Sequence, residues 1–142
     1  MSTTLVDTNV LIALVDPRDE LHERAARDLA KLAKAELRVT SAVLSESVFA
    51  LPRSDQRGRL MLLLDRLPIL PVIVEDEMML RRDIFSWLER YADHEPDYSD
   101  AEICVAVGRE KRQKRMRVWS YDSEFRTVWR TFDGKRLTVL GA

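Results

Sequence analysis

A chain of 142 residues, 46% of them hydrophobic, is long enough to bury a core, and we expect one domain over residues 1–142. Its charge is dense (33%) but balanced, with a net charge of −1. That excludes a disordered chain and a global cationic field, so any grip on nucleic acid must come from local patches or bound cations. A lone Cys104 excludes an internal disulfide and a cysteine-based zinc site, and no apolar run approaches the roughly 20 residues of a membrane span. The opening MSTTLVDTN lacks the basic region of a signal peptide, so the expected location is the reducing cytoplasm.

Thr3 to Val6 reads as a first strand, and Asn9 to Val15 as a short helix stopped by Asp16-Pro17. Glu20 to Lys34 has helical apolar spacing through Leu21, Ala25, Leu29 and Leu32. Leu37 to Thr40 is a second strand. Ser41 is placed to cap a helix reaching Leu51, and Ser54 a helix ending before Pro68. The run ILPVIV, Ile69 to Val74, is a third strand. Pro71 assigns it to an edge, since proline cannot donate to the ladder. Asp76 to Ala92 is an amphipathic helix, followed by a loop at 94–99. Ser99 and Glu102 have capping-box spacing, at the start of a helix reaching about Gln113. Val118 to Tyr121 is a fourth strand, Asp133-Gly134 a turn, and Leu137 to Leu140 a last strand. Strands alternating with helices predict an α/β fold, a mostly parallel sheet of about five strands between two helical layers. Such sheets bind ligands beyond the carboxyl ends of their strands.

Acids gather at those ends. Asp7 follows strand 1 and Asp122 follows strand 4. Asp100 lies in the first turn of the helix feeding strand 4, and Glu46 one turn into the helix after strand 2. Singly, each has a plain structural reading: Asp7 and Asp122 as caps, Asp100 as an acid at a helix amino end, Glu46 as a solvated helix residue. Jointly, carboxylates within a few ångströms repel, and some must take up protons at neutral pH unless a cation intervenes. An oxygen-only ligand set without Cys suits Mg²⁺ or Mn²⁺ over zinc. Such a cation acidifies water and neutralises charge on a phosphate in transfer, so no protein nucleophile is needed. Consistently, the sequence contains no nucleophile elbow, Walker loop or GxGxxG.

LVDTNVLIAL, TSAVLSE, DYSDAEICVAVG and VWSYDSEF, in this order and spacing, resemble the motifs of PIN-domain ribonucleases. In size and build the chain is similar to the VapC toxins of bacterial and archaeal toxin–antitoxin pairs. The resemblance covers essentially the whole chain. It implies an acidic pocket holding Mg²⁺ or Mn²⁺, and endonucleolytic cleavage of RNA to a 5′-phosphate and a 3′-hydroxyl. By position, Asp7, Glu46, Asp100 and Asp122 match the family's acidic ligands, while Asn9 and Ser120 match supporting polar positions. Ser120 stands where the family often has Thr. The resemblance also implies a homodimer and a cognate antitoxin laid across the site. Alternatives are a degenerate PIN-like module that binds RNA or a protein without catalysis, and an aspartyl-nucleophile phosphohydrolase, for which the D-x-D after strand 1 is missing.

The remaining features have mainly structural readings. Asp97 is expected as a solvated loop residue. REKRQKRMR, residues 109–117, is either a solvated helix end or a remote phosphate contact, and Arg18 and Arg53 lie in loops. His22 and His94 are expected in solvent, and Cys104, Trp87, Trp119 and Trp129 in the core. The apolar excess in LMLLLDRL and EMMLRRDIFSWL is assigned first to core and second to an interface.

Overall fold

A computed structural model describes residues 2–109 and 116–142. Most of the basic segment 109–117, and any continuation of its helix to Gln113, lie outside the described residues. Five strands, β1 (Thr3–Val6), β2 (Glu36–Val39), β3 (Ile69–Pro71), β4 (Met116–Ser120) and β5 (Val139–Gly141), form one sheet in the order β3-β2-β1-β4-β5. Every strand pair is parallel, so the sheet goes beyond the mostly parallel expectation. β1 is central, with Val6 opposite Trp119 of β4, and Leu5, Val6, Val118 and Trp119 are fully buried. Burial on both faces explains why β1 and β4 show apolar runs rather than alternation.

The edge assignment of β3 holds, but the strand is shorter than ILPVIV. Pro71 lies opposite Val39, Val72 N–H still donates to Val39 O at 3.0 Å, and the chain then leaves the sheet.

Among the described residues, seven α-helices connect the strands: α1 (Thr8–Val15), α2 (His22–Ala30), α3 (Ser41–Ala50), α4 (Ser54–Arg66), α5 (Glu77–Arg90), α6 (Tyr98–Arg109) and α7 (Glu124–Thr127). α1 packs on α2, α3 and α4, while α5 packs along α6. α2 ends earlier than the periodicity predicts, because residues 31–34 tighten into turns, with Leu32 N–H bonded to Leu29 O. The caps shift by one residue. Thr40, not Ser41, caps α3 by accepting from Val43 N–H, and Asp76 caps α5 through Met79 N–H. Before α4, Gln56 Oε1 accepts from Arg53 N–H.

The predicted Ser99/Glu102 box does not form. Asp97 and Asp100 make it instead: Asp97 Oδ1 accepts from Asp100 N–H at 2.8 Å, and Asp97 N–H donates to Asp100 Oδ2 at 3.3 Å. Ser99 is buried inside the helix, and among the described residues its hydroxyl has no hydrogen-bond partner. Asp97 is therefore a helix cap rather than a free loop residue.

Trp87, Trp119, Trp129, Phe125 and Cys104 are fully buried, as expected of core residues. His22 differs from expectation: its Nδ1 contacts Ala13 O at 2.7 Å, tying α2 to α1. His94 is exposed, edge-on to Trp129. The apolar excess is not all core, since Met61, Leu62, Met78 and Phe85 are more than half exposed. No helix among the described residues is long and apolar enough to cross a membrane.

Candidate active site

Asp7 lies at the carboxyl edge of the two central strands, within electrostatic reach of the other predicted acids. Leaving β1, Asp7 turns the chain into α1, and its Oδ1 accepts from Thr8 N–H at 2.8 Å. Its Oδ2 is held by two side chains. Ser120 Oγ–H, at the end of β4, donates at 2.7 Å, and Asn9 Nδ2 lies at 3.4 Å. Asn9 also donates to Ser120 Oγ at 3.2 Å, and its Oδ1 accepts from Tyr121 N–H at 3.1 Å. Asn9 and Ser120 thus join the two strand ends that carry Asp7 and Asp122. Ser120 Oγ further accepts from Asp122 N–H at 3.0 Å, fixing the turn that presents the last acid.

Burial pushes the Asp7 carboxyl up to about 6, against the lowering effect of the Ser120 and Thr8 hydrogen bonds, and the charges of Glu46 and Asp122 push it further. Asp100 rises to about 8, first from burial, then from the charges of Asp97 and Asp7. Asp7 therefore senses Glu46 and Asp122, and Asp100 senses Asp7: all four stand within electrostatic reach of one centre. Among the described residues, none of the four is in an ion pair with Lys or Arg.

Convergence stops short of a closed ligand set. Among the described residues, no three His, Cys, Asp or Glu side chains form a group ready to hold a metal ion. Two acids are engaged by their own chain: Glu46 Oε1 accepts from Thr8 Oγ–H at 2.5 Å, and Asp122 Oδ1 caps α7 through Glu124 N–H at 2.9 Å. In kind, the groups suit a hard divalent cation: all are oxygens, and burial with mutual repulsion raises the carboxyls of Asp7 and Asp100, a conflict that a cation would relieve.

Sequence reasoning missed Thr8 and Glu102. Thr8 holds Glu46, and its signal is its place inside the DTN stretch. Glu102, read as half of a capping box, reaches across to α3, where its Oε1 accepts from Ala42 N–H at 3.0 Å. A third missed group is centred on Tyr121, the residue before Asp122. Tyr121 O–H donates to buried Asp28 at 2.7 Å, and the Arg24 guanidinium lies 4.8 Å over the Tyr121 ring. Beside the site, a groove between α3, α5 and α6 is lined, among the described residues, by seven carboxylates, Glu46 and Asp97 among them, against two arginines, Arg38 and Arg109.

Comparison with known proteins follows the geometry. A family model of the PIN domain matches residues 4–130. No curated protein matches. Among solved structures, the chain is similar to Mycobacterium tuberculosis VapC20, described as a toxin that cleaves the sarcin–ricin loop. The TM-score is 0.66 at 24% identity, over 91% of this chain and 97% of that one. It is similar to VapBC2 of Rickettsia felis, solved on a DNA fragment from its promoter, with TM-score 0.66 at 14% identity over 97% of both chains. It is also similar to FitAcB of Neisseria gonorrhoeae, with TM-score 0.56 at 19% identity over 96% of both. Identities this low establish a shared fold. The family match, spanning most of the chain with the DTN stretch inside it, settles membership: the chain belongs to the PIN domain family.

Proposed function

We propose that this protein is a Mg²⁺- or Mn²⁺-dependent endoribonuclease and the toxin of a toxin–antitoxin pair. The observation that supports the reading is Asp7 itself: a buried carboxylate with no Lys or Arg ion pair among the described residues, within electrostatic reach of Glu46, Asp100 and Asp122 at the edge where α/β sheets bind ligands. Asp7, Glu46, Asp100 and Asp122 would hold the cation. Its contribution when bound is to neutralise charge on the scissile phosphate and to acidify water. Asn9 and Ser120 keep Asp7 and Asp122 oriented through the bonds described above. Burial and the charges of Asp97 and Asp7 raise the Asp100 carboxyl, and a bound cation would relieve that repulsion.

The partner reading follows from the groove. Seven carboxylates repel RNA phosphates but suit an arginine-bearing antitoxin peptide, which would compete with the cation for Glu46 and its neighbours. A homodimer is consistent with the exposed apolar residues of α4 and α5. The engagement of Glu46 by Thr8 and of Asp122 by Glu124 favours a second reading, a PIN-like module that binds RNA or protein without cutting. One experiment separates the two. Purified protein is incubated with total RNA in Mn²⁺, in EDTA, and as Asp7→Asn. Cleavage in Mn²⁺ alone, lost in a folded Asp7→Asn variant, supports the nuclease; intact RNA in all three lanes supports the binding module.

A further inference from the structure

α3 carries Glu46 and is held on one side by α1, through packing and the Thr8–Glu46 bond. Of its ten residues only Val43 and Ser47 are buried, while Val48 and Phe49 at its end are exposed. Its first turn contains no acidic residue. A partner for that turn arrives from α6. Glu102 is nearly fully buried, and its Oε1 takes the N–H of Ala42, the second residue of α3, while Thr40 takes that of Val43. A carboxylate at a helix amino end is favoured by the helix dipole and satisfies a donor that the helix leaves open.

Two register relations give this contact a consequence. Glu46 lies four residues beyond Ala42, on the same face of α3. Asp100 lies two residues before Glu102 on α6. The Glu102–Ala42 bond therefore bridges the two helices that bring Glu46 and Asp100 to Asp7. We infer that Glu102 is a positioning residue: by pinning the amino end of α3 to α6, it sets the distance from Glu46 to Asp7 and Asp100. The inference rests on the metal-dependent reading for its importance, but the anchoring itself does not.

The test needs an acceptor at the right reach, not a charge. Glu102→Gln keeps both reach and acceptor, whereas Glu102→Asp keeps the charge but is one methylene short. Two readouts are taken on the purified protein. Hydrogen exchange of the Ala42 amide reports the anchor: slow in wild type and Glu102→Gln, fast in Glu102→Asp. Mn²⁺ affinity, from the electron paramagnetic signal of free Mn²⁺, reports the site: Glu102→Asp should bind about tenfold more weakly than wild type, and Glu102→Gln close to wild type. Equal Ala42 protection in all three proteins would overturn the inference. So would a reversed order of affinity, with Glu102→Gln weak and Glu102→Asp unchanged, which would make the charge itself the active element. Absence of Mn²⁺ binding in wild type would strike the metal-dependent reading instead, leaving the exchange data to judge the anchor.

Discussion

Ser120 and Asp7 stand 113 residues apart in the chain, and a 2.7 Å bond joins Ser120 Oγ to Asp7 Oδ2. That hydroxyl also accepts from Asn9 and from the amide of Asp122, so one buried oxygen serves three neighbours. Removing it in Ser120→Ala strips a buried carboxylate of its strongest partner and leaves the Asp122 amide open. The expected loss is about 1–3 kcal/mol in unfolding free energy. Urea unfolding at pH 7 measures it, and a loss below half a kilocalorie, of the order of an ordinary surface change, would show that water replaces the hydroxyl.

The raised Asp7 carboxyl makes a signed prediction about pH. Its pKa is about 6 when folded against 3.8 as the ordinary value, so the folded state binds the proton more tightly. Stability from this group is complete below about 3.8, falls as pH rises through about 6, and stays lost above. The penalty at pH 8 is of the order of 3 kcal/mol. Asp7→Asn, which cannot ionise, should therefore be more stable than wild type at pH 8 in EDTA and similar to it at pH 4. Unfolding midpoints of the two proteins across that range provide the comparison; a variant less stable than wild type at pH 8 would reverse the sign.

Thr8 gives a prediction about activity rather than stability. Thr8→Val keeps the branched side chain but removes the donor to Glu46. Under the nuclease reading, a freed Glu46 lowers the cleavage rate about tenfold or more, while unfolding free energy changes by about 1 kcal/mol. Thr8→Ser, which restores the hydroxyl, should recover most of the rate. Initial rates on one RNA substrate decide it; recovery in neither variant, or loss in neither, would detach Thr8 from Glu46.

Gly141 is needed where it stands. Its φ is +108°, and a Cβ there would lie 2.5 Å from Ser120 O and 3.0 Å from the Tyr121 ring. Gly141→Ala must push β5 away from the strand end that presents Asp122, with backbone strain of about 1–3 kcal/mol. A melting temperature unchanged from wild type would mean that β5 yields without cost. Gly134→Ala is the control: it also has positive φ (+84°) but meets no atom within 4 Å, so it should lose less.

Much of this was legible from residue order. The DTN stretch marked a strand end, Pro71 marked an edge, and the alternation of strands and helices gave a parallel sheet with Asp7 and Asp122 on one rim. What stayed hidden needed the third dimension. DYSDAE contains two overlapping capping patterns, Asp97 with Asp100 and Ser99 with Glu102, and only the burial of Ser99 chooses between them. Glu102 finds its acceptor role 60 residues away, at a backbone amide that has no side-chain signature. The engagement of Asp122 by its own helix, and of Glu46 by Thr8, could not be read from spacing, because each acid has two free oxygens and nothing in the sequence says which neighbour claims them.

The placement of β1 between β2 and β4 has a bearing on biosynthesis. A ribosome must deliver the chain through Ser120 before the first strand can acquire its second neighbour. Until then Asp7 has neither the hydroxyl that steadies it nor the late acid beside it, whatever helices have already formed. Long-range parallel pairing of this kind closes slowly. The site around Asp7 is therefore incomplete throughout most of translation, by geometry alone.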